Sequence, residues 1–571
     1  MITPPRKRWK IADPIPLDVS QKLFSYPPVM QQILYNRGYT TAQEALQFMQ
    51  AAIPDGCEPE NLIGILPAVD RIEHAINASE PIAIYGDYDV DGVTATALLT
   101  MALNSIGANV IGYIPNRFDE GYGLNIDALK TLYEQGVKLV ISVDCGIRSP
   151  LEAAYAKESG LDLIITDHHH PSDQLPDAFA IINPKQPGDL YPDKNLAGVG
   201  IAYKLATAVF QEISKTQVIQ SDVQEYLDLV ALGTIADIAP LIGENRAMVR
   251  AGLERLNGQQ RQGLRSLLGV AGIQNRRITA EDVGYAIGPR LNAAGRLDSA
   301  IAALELLTTQ NVQKTGYLAQ LLDIQNQERQ RITREIQIHA EQFALEQEEN
   351  PYILFAVDEN YNPGVVGLAA SRLQEKYYRP AIVAHQGEDY TRASCRSIPE
   401  FHITDALDQC ADLMEHHGGH AAAAGFTVQN DRLNELIYRL RVIAEEELSD
   451  KELRPVLKAD IEVPLSDLKP EILTELAKLQ PTGQKNPSAL FASRNLNIIK
   501  KRALGKENAH LKLTVSDGKI AYDAIAFRFG HFLDQLPDHI DMIYAYETNE
   551  YNGRVSLQLN VKDLRPSGLP D

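Results

Sequence analysis

Short apolar runs alternate with helical stretches over much of the first half of the chain. Between about Glu80 and Leu241 the helical stretches include Thr94–Ile106 and Ile126–Glu134. Apolar runs of strand length separated by helices are typical of βαβ units, in which crossover helices join parallel strands. The pattern therefore predicts a parallel sheet covered by helices, with strands at Ile82–Tyr85, Val110–Ile114, Leu139–Val143, Leu163–Thr166 and Ala180–Ile182.

The pattern changes after residue 310. Residues 311–349 contain no Gly or Pro beyond Gly316 and carry apolar side chains at roughly helical spacing, which predicts one long polar helix. This helix would bridge two lobes, although a packed surface helix has the same pattern. Strands resume at Tyr352–Val357 and Ala381–His385. The residues after about 455 are rich in strand and hairpin signals, which favour a small antiparallel barrel such as the OB-fold.

These elements predict an α/β protein made of several parts. They are a large parallel-sheet lobe, a long connecting helix, a second smaller α/β lobe and a C-terminal OB-like β-barrel, and a length of 571 residues is too great for one core. The expected boundaries are an N-terminal cap at 1–70, the large lobe at 71–310, the helix at 311–349, the second lobe at 350–450 and the barrel at 455–565. We expect the barrel to be a separable module, so that its deletion would spare chemistry in the large lobe.

Composition narrows the class of protein. A hydrophobic content of 44% and a charged content of 23% are ordinary for a globular protein. Four cysteines without a C-x-x-C pair argue against a structural zinc site or a disulfide framework and fit a reducing compartment. No apolar segment of signal-peptide type follows Met1, and no run of about 18 apolar residues exists. We therefore expect a soluble, cytoplasmic protein that makes no contact with membranes.

The overall charge of −21 is unfavourable for binding nucleic acid. However, the segment from Arg246 to Arg296 has nine arginines and only three acids, a local charge of +6. Such a basic stripe could contact phosphates while the rest of the chain stays acidic. An ordinary solvated helical surface would explain it equally well.

Acids and histidines follow the apolar runs. Asp87, Asp89 and Asp91 come after the first, Asp144 follows the third, and the fourth is followed by Asp167 and the histidines 168–170. Because parallel strands present their carboxyl ends to one crevice, these side chains could converge there. Like charges so close together repel one another unless cations neutralise them, and this donor set suits Mn²⁺ or Mg²⁺. For the first three acids, a polar turn or a helix cap is the alternative.

A further acid, Asp237, is placed within the apolar segment Leu229–Leu241. An unpaired buried carboxylate is strongly disfavoured, so this residue also suggests a cation. The half-match Gly198-x-Gly200 to a dinucleotide fingerprint lacks its third glycine, and we discount it.

The chain resembles the DHH phosphoesterase superfamily in the order of its motifs. These are Asp-Tyr-Asp-x-Asp-Gly, Val-Asp-x-Gly, Asp-His-His and then a single Asp within an apolar segment. Within this superfamily, the chain is similar to the bacterial RecJ family of single-strand-specific exonucleases, over about residues 35–565. Five further segments carry this resemblance: Leu196–Gly200, Gly288–Arg296, Ser394–Ser397, Gly418–Phe426 and Pro481–Pro487.

The resemblance implies roles for individual residues. The metal ligands would be Asp89, Asp91, Asp144, His168 and Asp237, with Asp144 bridging two ions. His169 would face the scissile phosphate, Asp87 would support the site, and His420 would lie near the transferred phosphate. Arg117, Ser394 and Arg396 would hold a terminal 5′ phosphate, and Arg290 and Arg296 would contact substrate.

The implied activity is a metal-dependent 5′→3′ exonuclease that degrades single-stranded DNA to 5′-mononucleotides in recombination and repair. Two Mn²⁺ or Mg²⁺ ions would activate a water for attack on phosphorus. The implied partners are single-stranded DNA, a single-strand-binding protein and a helicase, and the implied state is a monomer. Two alternatives remain. A DHH phosphodiesterase for oligonucleotides or cyclic dinucleotides would lack the long tail, and an inactive DNA-binding scaffold would have lost acids that this chain retains.

Overall fold

The N-terminal segment is attached to the C-terminal barrel. The computed structural model describes residues 4–116, 123–347, 350–551 and 554–569. The segment contains β1 (Arg8–Ile11), α1 (Leu17–Lys22), α2 (Pro28–Asn36) and α3 (Ala42–Gln50). Buried side chains such as Leu23, Ile33 and Phe48 share one apolar core with the barrel. The first helices are therefore part of the barrel's packing rather than a free cap.

The large lobe is built on a five-stranded, fully parallel sheet with the order β3-β2-β4-β5-β6. Its strands are β2 (Pro81–Gly86), β3 (Asn109–Tyr113), β4 (Leu139–Val143), β5 (Asp162–Thr166) and β6 (Ala180–Ile182). Its helices are α4 (Ile65–Asn77), α5 (Val90–Ser105), α6 (Ile126–Glu134), α7 (Pro150–Ser159), α8 (Gly198–Ile213), α9 (Leu227–Ala236), α10 (Gly243–Gly258), α11 (Gln262–Val270), α12 (Ala280–Asp282), α13 (Gly288–Leu297) and α14 (Ile301–Thr308). The predicted parallel sheet is confirmed.

Both faces of this sheet are buried, which explains its continuous apolar strands. Along β2, Ile82 and Ile84 enter one core, and Ala83 and Tyr85 enter the core on the opposite face. Because both faces are covered, polar side chains that follow the strands can reach solvent only at the carboxyl edge of the sheet.

A single helix of 36 residues, α15 (Val312–Gln347), follows the large lobe, as predicted. The second lobe contains β7 (Leu354–Asp358), α16 (Val366–Tyr377), β8 (Ala381–Gln386), β9 (Tyr390–Arg396), α17 (Ile403–Asp408), β10 (Met414–His420), β11 (Ala423–Gln429) and α18 (Leu433–Leu448). Its mixed sheet has the order β10-β11-β9-β8-β7, with only β7 and β8 parallel. The sheet is covered by helices on both faces.

The C-terminal region is a closed barrel, which confirms the OB-like prediction. Its elements are β12 (Val456–Ala459), β13 (Ile461–Glu462), α19 (Pro470–Ala477), β14 (Phe491–Leu504), β15 (His510–Ser516), β16 (Ala521–Ala526), β17 (His539–Tyr551) and β18 (Arg554–Pro566). The sheet has the order β13-β14-β15-β16-β18-β17, and pairing of β14 with β17 closes it. On β15, Leu511, Leu513 and Val515 alternate inward, as barrel closure requires.

Part of the basic segment from Arg246 to Arg296 is occupied by internal contacts. Arg246 is only 1% exposed, Arg250 lies 4.0 Å from Glu254, and three other arginines of the segment form closer ion pairs. The pairs are Arg261–Asp228, Arg276–Asp282 and Arg290–Asp323. These arginines hold elements together, which lowers the positive charge that the segment presents to phosphates. Among the described residues, no helix is long and apolar enough to cross a membrane.

Candidate metal centre

The first acidic loop joins β2 to α5. Asp89 is the N-cap of α5, and its Oδ1 accepts hydrogen bonds from the amides of Asp91 (2.9 Å) and Gly92 (3.1 Å). A Cβ on Gly92 would lie 2.5 Å from the carbonyl oxygen of Asp87, so only glycine permits this tight turn. The capping alternative places Asp91 ahead of a helix from Val93, but the helix begins at Val90 and the cap is Asp89. The cap fixes Asp87 and Asp91 on either side.

Asp91 is buried against the start of another helix. Its Oδ2 accepts from the amide of Gly198 at 2.6 Å, and its Oδ1 accepts from the amide of Val199 at 2.8 Å. The N-terminus of α8, whose positive end favours an anion, thus binds a carboxylate of the protein itself. This contact gives the Leu196–Gly200 segment a role in positioning Asp91.

Asp144 follows β4 in a left-handed conformation, with φ of 61°. A Cβ on Gly198 would lie 2.7 Å from the Cβ of Asp144, so the two backbones approach closely. Oδ1 of Asp144 is buried, accepts no hydrogen bond within the described part of the chain, and lies 3.1 Å from Nε2 of His168. A buried carboxylate oxygen of this kind is suited to a cation.

His168 joins these acids to Asp237. Its Nε2 is 4.0 Å from Oδ2 of Asp91, and its Nδ1 is 3.9 Å from Oδ2 of Asp237. The side chains form three groups of possible metal ligands, and within each group the ligand atoms lie within 4.8 Å of one another. They are Asp87, Asp89 and Asp144; Asp144, His168 and His169; and Asp91, His168 and Asp237. Because Asp144 belongs to two groups and a carboxylate offers two oxygens, two neighbouring cations could share this residue.

Electrostatics support binding of cations. Burial, with repulsion from Asp237 and Asp89, raises the pKa of Asp91. Burial, together with the neighbouring acids, likewise raises the pKa of Asp144. Burial and Asp89 raise the pKa of Asp237 to about 7. These carboxylates are therefore stable as anions only beside positive charge, and their oxygens are the donors that Mn²⁺ and Mg²⁺ prefer.

The two motif histidines have different environments. Burial and the neighbouring His169 lower the pKa of His168 to about 3, so its imidazole is neutral and available as a ligand. Nδ1 of His169 lies 2.7 Å from Oδ1 of Asp167. Burial acts to lower the pKa of His169, but the contact with Asp167 outweighs it and the pKa rises. Asp167 therefore orients His169 towards the cleft and favours its protonated form.

Two residues after β6 hold the loop that carries His168 and His169. They were not identified from the sequence. Nδ2 of Asn183 donates to the carbonyl of His169 at 2.9 Å, and Nζ of Lys185 donates to the carbonyl of His168 at 2.5 Å. Nothing in the segment Asn183-Pro184-Lys185 marks it as functional, because its role is to hold the backbone of residues far away in sequence.

The second lobe brings a polar cluster to the same cleft. Ser394 and Arg396 lie two residues apart on β9, beside the first turn of α16. A Cβ on Gly367 would lie 3.1 Å from Nη2 of Arg396 and 3.4 Å from Oγ of Ser394. His420, at the end of β10, is close enough to His170 to help lower the pKa of that histidine, after burial and Lys185. The cluster combines a guanidinium, a hydroxyl and a helix N-terminus, which together suit an anion.

The remaining predicted residues have other positions. Arg290 is paired with Asp323 of α15 at 2.8 Å, and Nη1 of Arg296 donates to the carbonyl of Gly364 at 3.2 Å. The second contact joins the large lobe to the second lobe. Arg117 lies outside the described residues. Contact of these three arginines with substrate stays a prediction.

A parallel sheet with acids and a histidine pair at its carboxyl edge, facing a second lobe, defines a DHH phosphoesterase. The model of the DHH family N-terminal domain matches residues 81–234, and that of the DHHA1 domain matches residues 349–446. The model of the RecJ OB domain matches residues 459–563. The chain belongs to the RecJ family.

Relatives and solved structures agree with this assignment. The single-stranded-DNA-specific exonuclease RecJ of Bacillus subtilis is 37% identical, over 98% of this chain and 71% of that protein. RecJ of Escherichia coli is 34% identical, over 95% of this chain and 96% of that protein. The structure of Thermus thermophilus RecJ in complex with Mn²⁺ matches with a TM-score of 0.83 and 28% identity, over 99% of this chain and 80% of that one. The Mg²⁺ complex matches with a TM-score of 0.78.

Proposed function

We propose that this protein is a metal-dependent exonuclease that degrades single-stranded DNA from the 5′ end and releases 5′-mononucleotides. The observation that carries the proposal is the buried carboxylate of Asp144, which lies in one group of possible metal ligands with the acids of the first loop and in another with His168. The relatives named single-stranded-DNA-specific exonucleases support the substrate. No finding favours a small-substrate phosphodiesterase or an inactive scaffold.

Different residues of the site would bind the metal ions and contact the scissile phosphate. Asp89, Asp91, Asp144, His168 and Asp237 would hold two divalent cations, with Asp144 between them. When bound, such a pair lowers the pKa of a water nucleophile and neutralises charge on the phosphate. His169, fixed by Asp167, donates a hydrogen bond to the scissile phosphate and stabilises its developing negative charge. The contact with Asp167 raises the pKa of His169, which favours the protonated donor.

The direction of degradation would come from the second lobe. Ser394 and Arg396 present a hydroxyl and a half-buried guanidinium beside the N-terminus of α16. A terminal phosphate has one more negative charge than an internal phosphodiester, so this cluster favours a 5′ end. His420 approaches the cleft from the same lobe and would contact the phosphate being transferred. Asp87 supports the first acidic loop.

The barrel would guide the strand towards the cleft. Phe527 is 52% exposed after β16, and its ring lies edge-on to that of His510, with centroids 5.3 Å apart. Exposed rings of this kind stack on bases without sequence preference. We further propose that the protein acts as a monomer in the cytoplasm, beside a helicase and a single-strand-binding protein. Its four buried, unpaired cysteines fit a reducing compartment.

A substrate panel tests this function. The purified chain is assayed with Mn²⁺ on a single strand, its duplex and a cyclic dinucleotide, each strand being labelled at either end. We expect mononucleotides from the 5′ end of the single strand alone. Products released first from the 3′ end would refute the direction, and preferred cleavage of the dinucleotide would favour the small-substrate alternative.

A further inference from the structure

A loop of the barrel contacts the segment that carries Asp237. The amide of Leu241, four residues after this acid, donates to the carbonyl of Gln484 at 2.8 Å. Leu241 is buried, and a Cβ on Gly483 would lie 2.8 Å from its Cδ1. The loop thus approaches the large lobe so closely that a side chain at Gly483 would displace Leu241.

The loop Pro481–Pro487 is itself tightly held. Gly483 and Asn486 exchange backbone hydrogen bonds of 2.8 and 3.1 Å. The buried side chain of Asn486 donates from Nδ2 to the carbonyls of Leu479 at 2.9 Å and Pro481 at 2.7 Å. A loop closed by backbone and side-chain hydrogen bonds is rigid, so a substitution in it should displace the neighbouring Leu241 rather than be absorbed within the loop.

Arg246, in the first turn of α10, anchors the same contact from the other side. Its Nη1 donates to the carbonyls of Leu479 and Pro481, at 2.9 and 3.1 Å, and its Nη2 donates to that of Lys478 at 3.1 Å. Its Nε donates to the carbonyl of Phe48 at 3.1 Å, and the guanidinium lies 4.2 Å from the centre of that ring. Lys478 and Leu479 follow the end of α19, where unsatisfied carbonyls favour a cation.

Asp237 needs such support more than Asp91 does. The side chain of Asp91 is fully buried and accepts two amide bonds. The side chain of Asp237 is 27% exposed, and its carboxylate accepts no hydrogen bond from the residues that the structure describes. It follows the end of α9, and Ile238 then turns the chain with φ of 59°. The carboxylate can therefore be placed only through its backbone.

We propose that Arg246 and the loop Pro481–Pro487 are positioning elements, by which the docked barrel holds Asp237 within reach of a metal ion. The proposal rests on the metal-binding role given to Asp237 above. Loosening the contact should weaken ion binding at this ligand while leaving the other donors in place. The barrel would then contribute to the chemistry of the large lobe as well as to binding of the strand.

The test measures Mn²⁺ binding by electron paramagnetic resonance on the full chain, alongside cleavage of single-stranded DNA as a function of Mn²⁺ concentration. Gly483→Val pushes on Leu241 from an exposed loop position, and Arg246→Lys keeps the charge but loses the forked donors. We expect each substitution to weaken binding of the Mn²⁺ ion next to Asp237 by about tenfold, the size typical of lost outer-shell support. The cleavage rate at saturating Mn²⁺ should stay close to that of the unchanged protein.

Two further variants separate the possible failures. Arg250→Ala removes a bond to the carbonyl of Met49 one turn further along α10 and should leave Mn²⁺ binding unchanged. Asp237→Asn should weaken it directly. If Asp237→Asn binds Mn²⁺ normally, the metal assignment is wrong. If only Asp237→Asn is impaired, while Gly483→Val binds normally, Asp237 is a ligand but the positioning proposal is overturned.

Discussion

The charge of Asp144 should oppose stability in the metal-free protein while being essential to activity. Its carboxylate lies in one group with Asp87 and Asp89, with ligand atoms within 4.8 Å of one another. Two unit charges at that distance repel by about 3.5 kcal/mol at an effective dielectric constant of about 20. Protonation relieves part of this repulsion. We therefore expect Asp144→Asn to stabilise the metal-free large lobe by about 2 kcal/mol.

Asparagine is the suitable replacement because it tolerates the left-handed backbone at this position, φ of 61°, better than most other residues. The substitution thus changes the charge and little else. The pKa of Asp144 is raised in the folded state, so the unchanged protein loses stability as pH rises and this carboxyl ionises. The stability advantage of the variant should therefore be larger at pH 8 than at pH 5.

Thermal unfolding with EDTA and with Mn²⁺ checks this prediction. A gain of 2 kcal/mol corresponds to roughly 4–8 °C in a unit of this size. Mn²⁺ should raise the midpoint of the unchanged protein by more than that of the variant, which keeps the group of Asp91, His168 and Asp237 but should lose nuclease activity. Asp228→Asn is the control, because Asp228 is a buried acid paired with Arg261 at 2.7 Å and its loss should destabilise. A variant that is less stable without metal, or whose midpoint rises with Mn²⁺ as much as that of the unchanged protein, would refute the reasoning.

Three other substitutions test separate parts of the site. Arg396→Ala should reduce the preference for 5′-phosphorylated over 5′-hydroxyl strands, measured as the ratio of their cleavage rates, and an unchanged ratio would contradict the role. Asp167→Asn should slow single-turnover cleavage by about 10–100-fold while Mn²⁺ affinity changes less, because His169 loses its orienting partner. Phe527→Ala should weaken binding of long strands by about 1–3 kcal/mol in fluorescence anisotropy, since a stacking ring is lost; unchanged affinity would mean that this ring contacts no base.

The sheet and its acidic edge could be predicted because each is encoded locally. A strand buried on both faces is mostly apolar, so a charged residue directly after it marks the carboxyl edge. Asp87, Asp144 and Asp167 are all such residues, and the structure brings them together. Periodicity also predicts α15, since 36 residues without a helix breaker other than Gly316 leave few other conformations.

Long-range polar contacts could not be predicted in this way. Asp91 is bound by the amide of Gly198, which lies 107 residues away in sequence. The loop of His168 is held by Lys185, which lies 17 residues away. The charge of the segment from Arg246 to Arg296 is incomplete evidence for the same reason. Net charge counts arginines but does not reveal that Asp228 and Asp323 lie opposite two of them.

The barrel is packed against the rest of the chain, so the expectation that it can be deleted without affecting the large lobe needs revision. Deleting it would uncover the apolar side chains of α1 to α3, which share its core, and would remove the three carbonyls that receive Arg246 from the barrel side. A buried guanidinium without acceptors is costly, so the large lobe would be destabilised next to Asp237. Loss of activity after truncation would therefore not by itself demonstrate a DNA-binding role. Only point changes on the barrel surface, such as Phe527→Ala, separate binding of the strand from support of the metal site.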